Sequence, residues 1–175
     1  TPRTSPEPPY LRNTNDPDAR GTFIIDERND REQVPVVGVS GKEPYRVVRA
    51  EKFMLSRYAE LPERLRQALG ALDAAPEFEL RGFDTMTFYV PEGRQFDEGA
   101  VCAALRDAGA DGCTVGESTA MLGLVGEGIG DRDDLLAELF RVLLESGVHV
   151  RGINLGGSPV TLLLAIDRQA YTAAL

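Results

Sequence analysis

Five residues in the last third of the chain, Gly126-Glu127-Gly128-Ile129-Gly130, have the types and spacing to bind a ligand with their backbone. They follow the apolar run at 120–125 and precede a helical pattern that starts near Asp131. N–H groups at a helix start have no partner within the helix and sit at the positive end of its dipole. Glycines let an anion come close to them. An amino-acid carboxylate suits such a place; the competing reading is a turn that needs positive φ. Asn154 and Ser158 can hydrogen-bond the ammonium and carboxylate of an effector, or else belong to a polar turn closed by Gly156-Gly157 with Pro159 behind it. An earlier group, Phe53, Ser56, Arg57, Asp84 and Thr85, offers similar chemistry. Arg57 can clamp a carboxylate in bidentate fashion and Asp84 can take an ammonium group, although both also suit ordinary surface loops.

The chemistry on offer is binding rather than catalysis. Glu127 has no acid or nucleophile near it in sequence, and no Ser-His-Asp arrangement emerges. The glycine run lacks the acidic ribose partner and the long parallel sheet of a dinucleotide site. His149, the only histidine, alternates with Val148 and Val150 and reads as an exposed or cross-strand residue. With Cys102 and Cys113 it makes three possible ligands, one short of a structural zinc site, so no metal is expected. A disulfide between the cysteines stays open at this stage. The reading adopted is two reduced, buried thiols and a cytoplasmic address. A net charge of -9 with no basic patch argues against nucleic acid. No apolar run approaches the ~20 residues of a membrane span. The opening Thr-Pro-Arg-Thr-Ser-Pro carries no apolar leader core.

The elements that must position these residues follow from periodicity. Residues 1–33, with Pro2, Pro6, Pro8, Pro9 and Pro17, read as a tail or linker with one short strand at 22–25 and a solvated charged run at 27–32. A β-branched strand is expected at 34–39, on a sheet edge because of Pro35, then a turn at 41–44 and a strand at 45–50. Leu61, Leu65, Ala68, Leu69 and Leu72 mark a helix over 61–73, with Pro62 in its first turn. Strands at 78–81 and 85–90 follow, then a helix over 97–108 with Val101, Ala104, Leu105 and Ala108 inward. The region from 119 reads strand, helix, strand, strand and a truncated helix from Arg168. Leu135, Leu136, Leu139, Phe140, Leu143 and Leu144 lie on the central helix and Gly147 at its end. The halves share an order of elements, as a tandem repeat of one α+β unit does. Strand 34–39 has no place in the first unit and completes the sheet of the second.

Three stretches carry a resemblance. The run from Ala120 to Gly128, the run from Glu145 to Asn154 with its Gly152-Ile153-Asn154, and the turn Gly156-Gly157-Ser158 resemble the second ACT domain of aspartate kinases. Leu11-Arg12-Asn13-Thr14-Asn15-Asp16-Pro17-Asp18-Ala19-Arg20-Gly21-Thr22 resembles the segment that leads from the kinase catalytic domain to the regulatory region. Where the family often has a Met/Leu-x-x-Ser-x-Gly-Phe-Leu loop, residues 53–61 differ, with Tyr58 in place of the glycine.

The resemblance implies an α+β fold of two ferredoxin-like ACT domains (βαββαβ), antiparallel sheets with helices on one face. It divides the chain into a connector at 1–33, a first ACT domain at 45–113, and a second built from 34–40 and 114–175. It implies a homodimer through ACT sheets and feedback by lysine, threonine or both. The effector is expected at the loops 53–60 and 126–132, its signal passing through the linker at 22–34. Catalysis, with its ATP and magnesium, would lie in an upstream kinase domain, and no cofactor is expected in this chain. The alternative is a ligand-free dimerisation module of a diverged homologue.

Overall fold

The computed structural model describes residues 10–11, 22–23, 36–92, 96–155 and 157–174. Two units are present, residues 1–34 and residues 35–175. In the first, strand β1 (Tyr10–Leu11) pairs antiparallel with β2 (Thr22–Phe23), Tyr10 opposite Phe23. The remainder of the expected tail, the rest of the strand at 22–25, the charged run at 27–32, the kinase-like segment at 12–21 and Pro35 lie outside the described residues.

The second unit is one antiparallel sheet of six strands in the order β4-β5-β3-β6-β8-β7. In chain order these are β3 (Gly38–Glu51), helix α1 (Leu61–Ala71), β4 (Phe78–Arg81), β5 (Thr85–Pro91), α2 (Glu98–Asp107), β6 (Gly112–Val125), α3 (Asp133–Glu145), β7 (Val150–Asn154), β8 (Thr161–Asp167) and the short α4 (Tyr171–Ala174). The two central strands are each 14 residues long and pair along their whole length, Gly38 opposite Val125 and Glu51 opposite Gly112. Each serves both repeats. Residues 45–51 of β3 also pair with β5, and residues 119–125 of β6 also pair with β8.

This continuity corrects one expectation. Residues 41–44 do not turn the chain; β3 runs through them, with an irregular register between Lys42 and Tyr45. Pairing to β6 on both sides keeps the segment extended, and the Tyr171 ring lies where a side chain at Gly41 would be. The cysteines supply a second correction: Cys102 of α2 and Cys113 of β6 are joined in a disulfide, their Cα atoms 5.3 Å apart. Helix α2 packs on the first part of β6, with Val101, Leu105 and Cys113 in one apolar cluster, and that packing brings the two sulfurs together.

Alternation along the strands builds three apolar layers. Val48, Ala50, Met86, Phe88 and Val90 point outward beneath Leu61, Leu65 and Leu69 of α1 and Val101 and Leu105 of α2. Ala120, Leu122, Leu124, Leu162, Leu164 and Ile166 do the same beneath α3 and α4. Each fully buried leucine contributes about 1.5–3 kcal/mol. The opposite face carries a third cluster with no helix residue in it: Tyr45, Val47, Phe78, Leu80, Tyr89, Met121, Leu163 and Ala165. That layer is covered by the sheet itself. A Cβ on Gly152 of edge strand β7 would lie 2.7 Å from Leu80 Cδ1 of the other edge strand, β4, so the sheet curls until its edges meet.

The helix ends repeat as well. After α1, Asp73 takes φ 57° and the Ala74 N–H reaches back to the Leu69 carbonyl (3.0 Å). After α3, Gly147 takes φ 69° and the Val148 N–H reaches the Leu143 carbonyl (2.8 Å). Both are Schellman endings, which need a residue in the left-handed region.

Candidate functional site

The two loops expected to bind an effector are the same piece of backbone made twice. Beyond β3, Met54 takes φ 54°, and a short 3-10 turn at Leu55–Arg57 buries Leu55. Beyond β6, Gly128 takes φ 68°, and a 3-10 turn at Ile129–Asp131 buries Ile129. Tyr58 (φ -114°, ψ 79°) and Arg132 (φ -106°, ψ 85°) close the turns in matching conformations. The offset is 74 residues, from Met54 to Gly128, and it is the same from Asp73 to Gly147. Because β3 and β6 run antiparallel, the loops leave opposite ends of the sheet, separated by thirteen residue steps or roughly 43 Å. They are two places, not one site.

In the first loop the polar groups are largely committed to the fold. The Asp84 carboxylate accepts the Met54 N–H at 3.0 Å, and the Asp84 carbonyl accepts the Lys52 N–H at 2.8 Å. Asp111 accepts the Phe53 N–H at 2.9 Å and pairs with Lys52 Nζ at 2.6 Å. The Lys52 hydrogen bond, seconded by the Phe53 N–H, holds the Asp111 carboxyl below its ordinary value, and the same bond raises the Lys52 ammonium. Lys52 Nζ also lies 4.9 Å from the centre of the Tyr58 ring. Thr85 pairs with Glu51 in the sheet, while Phe53, Ser56 and Arg57 are exposed.

Beside this loop lies a cavity of about 430 Å³, lined by Lys52, Tyr58, Glu60, Leu61, Arg64 and Gly109. Sequence reasoning named neither Lys52 nor Arg64. The signal was present: at the 74-residue offset Lys52 stands where the second loop has Gly126, so the cation belongs to one repeat alone.

In the second loop two N–H groups of the 3-10 turn bond within the loop itself. Ile129 and Asp131 donate to Gly126 and Gly128 carbonyls at 3.3 and 3.1 Å. Asp134 in the first turn of α3 receives a forked pair from Arg132 at 2.8 and 2.7 Å. That pair, with backbone N–H bonds at the helix start, brings the Asp134 carboxyl down to about 2. The Gly126 N–H donates to the Val160 carbonyl at 2.9 Å, and Gly130 sits beside the Ser158 carbonyl, so the glycine run and the turn at 157–160 are brought together. Ser158 Oγ accepts the Val160 N–H at 3.2 Å. Glu127 is half-buried. Asn154 lines a cleft on the inner face of the sheet with Gly152 and Leu163. Gly156 lies outside the described residues.

Among the described residues no cluster of His, Cys, Asp or Glu could hold a metal ion, and no helix is long and apolar enough to cross a membrane.

No family model matches the chain. It is 27% identical over 174 residues to Aspartokinase 3 of Bacillus subtilis, an alignment that covers 95% of this chain and 38% of that protein. The chain thus spans well under half the length of this relative. The fold matches the regulatory subunit of aspartate kinase from Thermus flavus at a TM-score of 0.64 and 19% identity, covering 80% of this chain and 94% of that one. It matches the aspartate kinase of Clostridium acetobutylicum at 0.70 and 17% identity, covering 79% of this chain and 33% of that one. E. coli aspartokinase III in complex with lysine and aspartate matches at 0.67 and 13% identity, covering 95% and 37%. The chain is built like the regulatory region of an aspartate kinase. The expected α+β fold of two ACT repeats is the one observed, its two sheets fused through the shared strands β3 and β6.

Proposed function

We propose that this chain is the amino-acid-sensing region of an aspartate kinase-like enzyme, with residues 1–33 leading from a kinase domain, a first ACT repeat at 45–113, and a second at 34–40 with 114–175. The observation that carries the reading is the 27% identity over 174 residues to an aspartokinase, on a fold shared with regulatory subunits. The effector is an amino acid of the lysine or threonine class. Its carboxylate is taken by Arg64, with Lys52 shared from its pair with Asp111, in the cavity beside the first loop that these two cations line. Binding regulates only through differential affinity for two arrangements of the assembly.

A homodimer through ACT sheets suits the strand pattern. Residues 38–42 of β3 and 112–118 of β6 each have a strand on one side only, leaving two equivalent open edges for a second sheet. ATP and magnesium belong to the kinase domain, and the setting is the cytoplasm.

A thermal-shift panel with lysine, threonine, methionine and other amino acids tests the proposal. Ligand at a hundred times Kd adds about 2.7 kcal/mol, roughly 5–10 °C for a chain of this size. One amino acid should shift the wild type and not Arg64→Gln. A flat panel on a chain that sediments as a dimer would favour the ligand-free dimerisation module. One observation supports that second reading: Asp84, Asp134 and Ser158 already spend their acceptors on the chain's own N–H and guanidinium groups.

A further inference from the structure

The curled sheet closes on itself unevenly because its two repeats differ in side-chain size. On the inner face the first repeat contributes Tyr45, Phe78, Leu80 and Tyr89. At matching register the second contributes Thr119, Gly152, Asn154 and Ala165. Tyr89 and Leu80 fill the space left by Gly152: a Cβ there would stand 2.5 Å from Tyr89 Oη. They do not fill all of it. Between β4 and β7 a cleft of about 170 Å³ remains, floored by Leu80, Met121 and Leu163, with Tyr89, Gly152 and Asn154 on its walls. That is room for about five water volumes.

Two features mark this cleft as more than a packing defect. Tyr89 is only 2% exposed, yet among the described residues its hydroxyl has no hydrogen-bond partner, and it lies against Gly152 on the cleft wall. The hydroxyl oxygen itself is reached by solvent on the cleft side and is free to bond a ligand there. Asn154, also without a partner among the described residues, replaces the Leu80 of the first repeat and brings a second donor and an acceptor to the same space.

We propose that the cleft between β4 and β7 is a binding site for a small uncharged aliphatic molecule with an amide or alcohol head. The head bonds to Tyr89 Oη and the Asn154 carboxamide, and the aliphatic body lies on Leu80, Met121 and Leu163. The carboxylates at the rim set the charge preference. Glu77 is held by Lys42 and the Tyr45 hydroxyl, and Glu79 by Arg66, so the rim's carboxylates disfavour an anion and, being already paired, offer no open partner to an amine. Burial raises the Tyr89 phenol above its usual 10 and keeps it a donor. A molecule held here touches both edge strands and ties one repeat to the other, a place distinct from the loop cavity above.

The test is a titration of the full chain with isobutyramide, read by methyl NMR. Saturable shifts are expected at Leu80, Met121 and Leu163, with Leu65 and Leu69 of the α1 core unmoved. Tyr89→Phe should weaken binding roughly fivefold while leaving the shape of the cleft intact. Asn154→Leu, the residue of the other repeat, should abolish it. No saturable shift, undiminished shifts in Tyr89→Phe, or a crystal soaked in isobutyramide that holds only ordered water in the cleft would each overturn the proposal.

Discussion

The two repeats make the same left-handed turns with different residues. The second uses Gly128 and Gly147; the first uses Met54 and Asp73, the two non-glycine residues with positive φ among those described. Side chains other than glycine pay about 1–2 kcal/mol for this conformation. The comparison teaches what a glycine-rich loop means here. The first repeat builds the same turn from Lys52-Phe53-Met54-Leu55-Ser56, so the turn of the run Gly126 to Gly130 is accounted for by backbone geometry and close packing against residues 158–160. Lys52 and Arg64, the two cations that line the loop cavity, lie in the repeat without the glycines.

The sharpest way to break the comparison is at the inner face, where large side chains of one repeat meet small ones of the other. Gly152→Ala should lose about 1–3 kcal/mol in urea unfolding by overpacking against Tyr89 and Leu80. Tyr89→Phe should restore part of that loss, because Oη is the nearest atom; additive losses would show that the collision is relieved elsewhere. Next come the turns. Gly147→Ala should cost about 1 kcal/mol, whereas Met54→Gly should gain a few tenths once the entropy of glycine is set against the relief of the left-handed turn. Equal effects in the two repeats would refute the asymmetry.

Thr119 sits where the first repeat has Tyr45, 5% exposed and with Oγ1 lacking a partner among the described residues. Thr119→Val should therefore be neutral or stabilising by up to about 1 kcal/mol, and a clear loss would point to a partner for that hydroxyl.

The smallest effect is in acid. Hydrogen bonds from Lys42 and then the Tyr45 hydroxyl hold Glu77 below its ordinary 4.5. A depressed carboxylate contributes stability that is complete above the ordinary value and is lost as pH falls through the folded one. Urea midpoints at pH 7 and about pH 3 should differ by a few tenths of a kcal/mol less in Glu77→Gln than in the wild type, the pair being substantially exposed.

The helices and most strands were legible because Leu61, Leu65 and Leu69, or Leu135, Leu139 and Leu143, repeat at helical spacing and bury one stripe. The passage of β3 through residues 41–44 was not. Gly-Lys-Glu-Pro has turn composition, and only pairing to a strand some eighty residues away keeps it extended. The inner core was hidden for a related reason: strands apolar on both faces, such as Met86-Thr87-Phe88-Tyr89-Val90, do not say what covers each face. The sequence places both loops between a strand and a helix, as they are, but not the partners of their polar groups. Asp84 caps a backbone N–H, the Asp131 N–H bonds within its own loop, and the Asn154 carboxamide lies against Gly157 while Asn154 also lines the inner cleft. Each of these depends on a contact across the sheet or on a local turn that spacing alone does not encode.

Strands β3 and β6 each give one half to either repeat, so the first repeat is inserted into the second, whose residues 38–42 precede it and whose remainder follows it. A single cut after residue 118 leaves the first repeat whole and the second without its closing edge, residues 38–42. The second repeat is therefore bound to be expressed and to fold with the first, and a twist imposed at one end of the central ribbon arrives at the other along the same two strands.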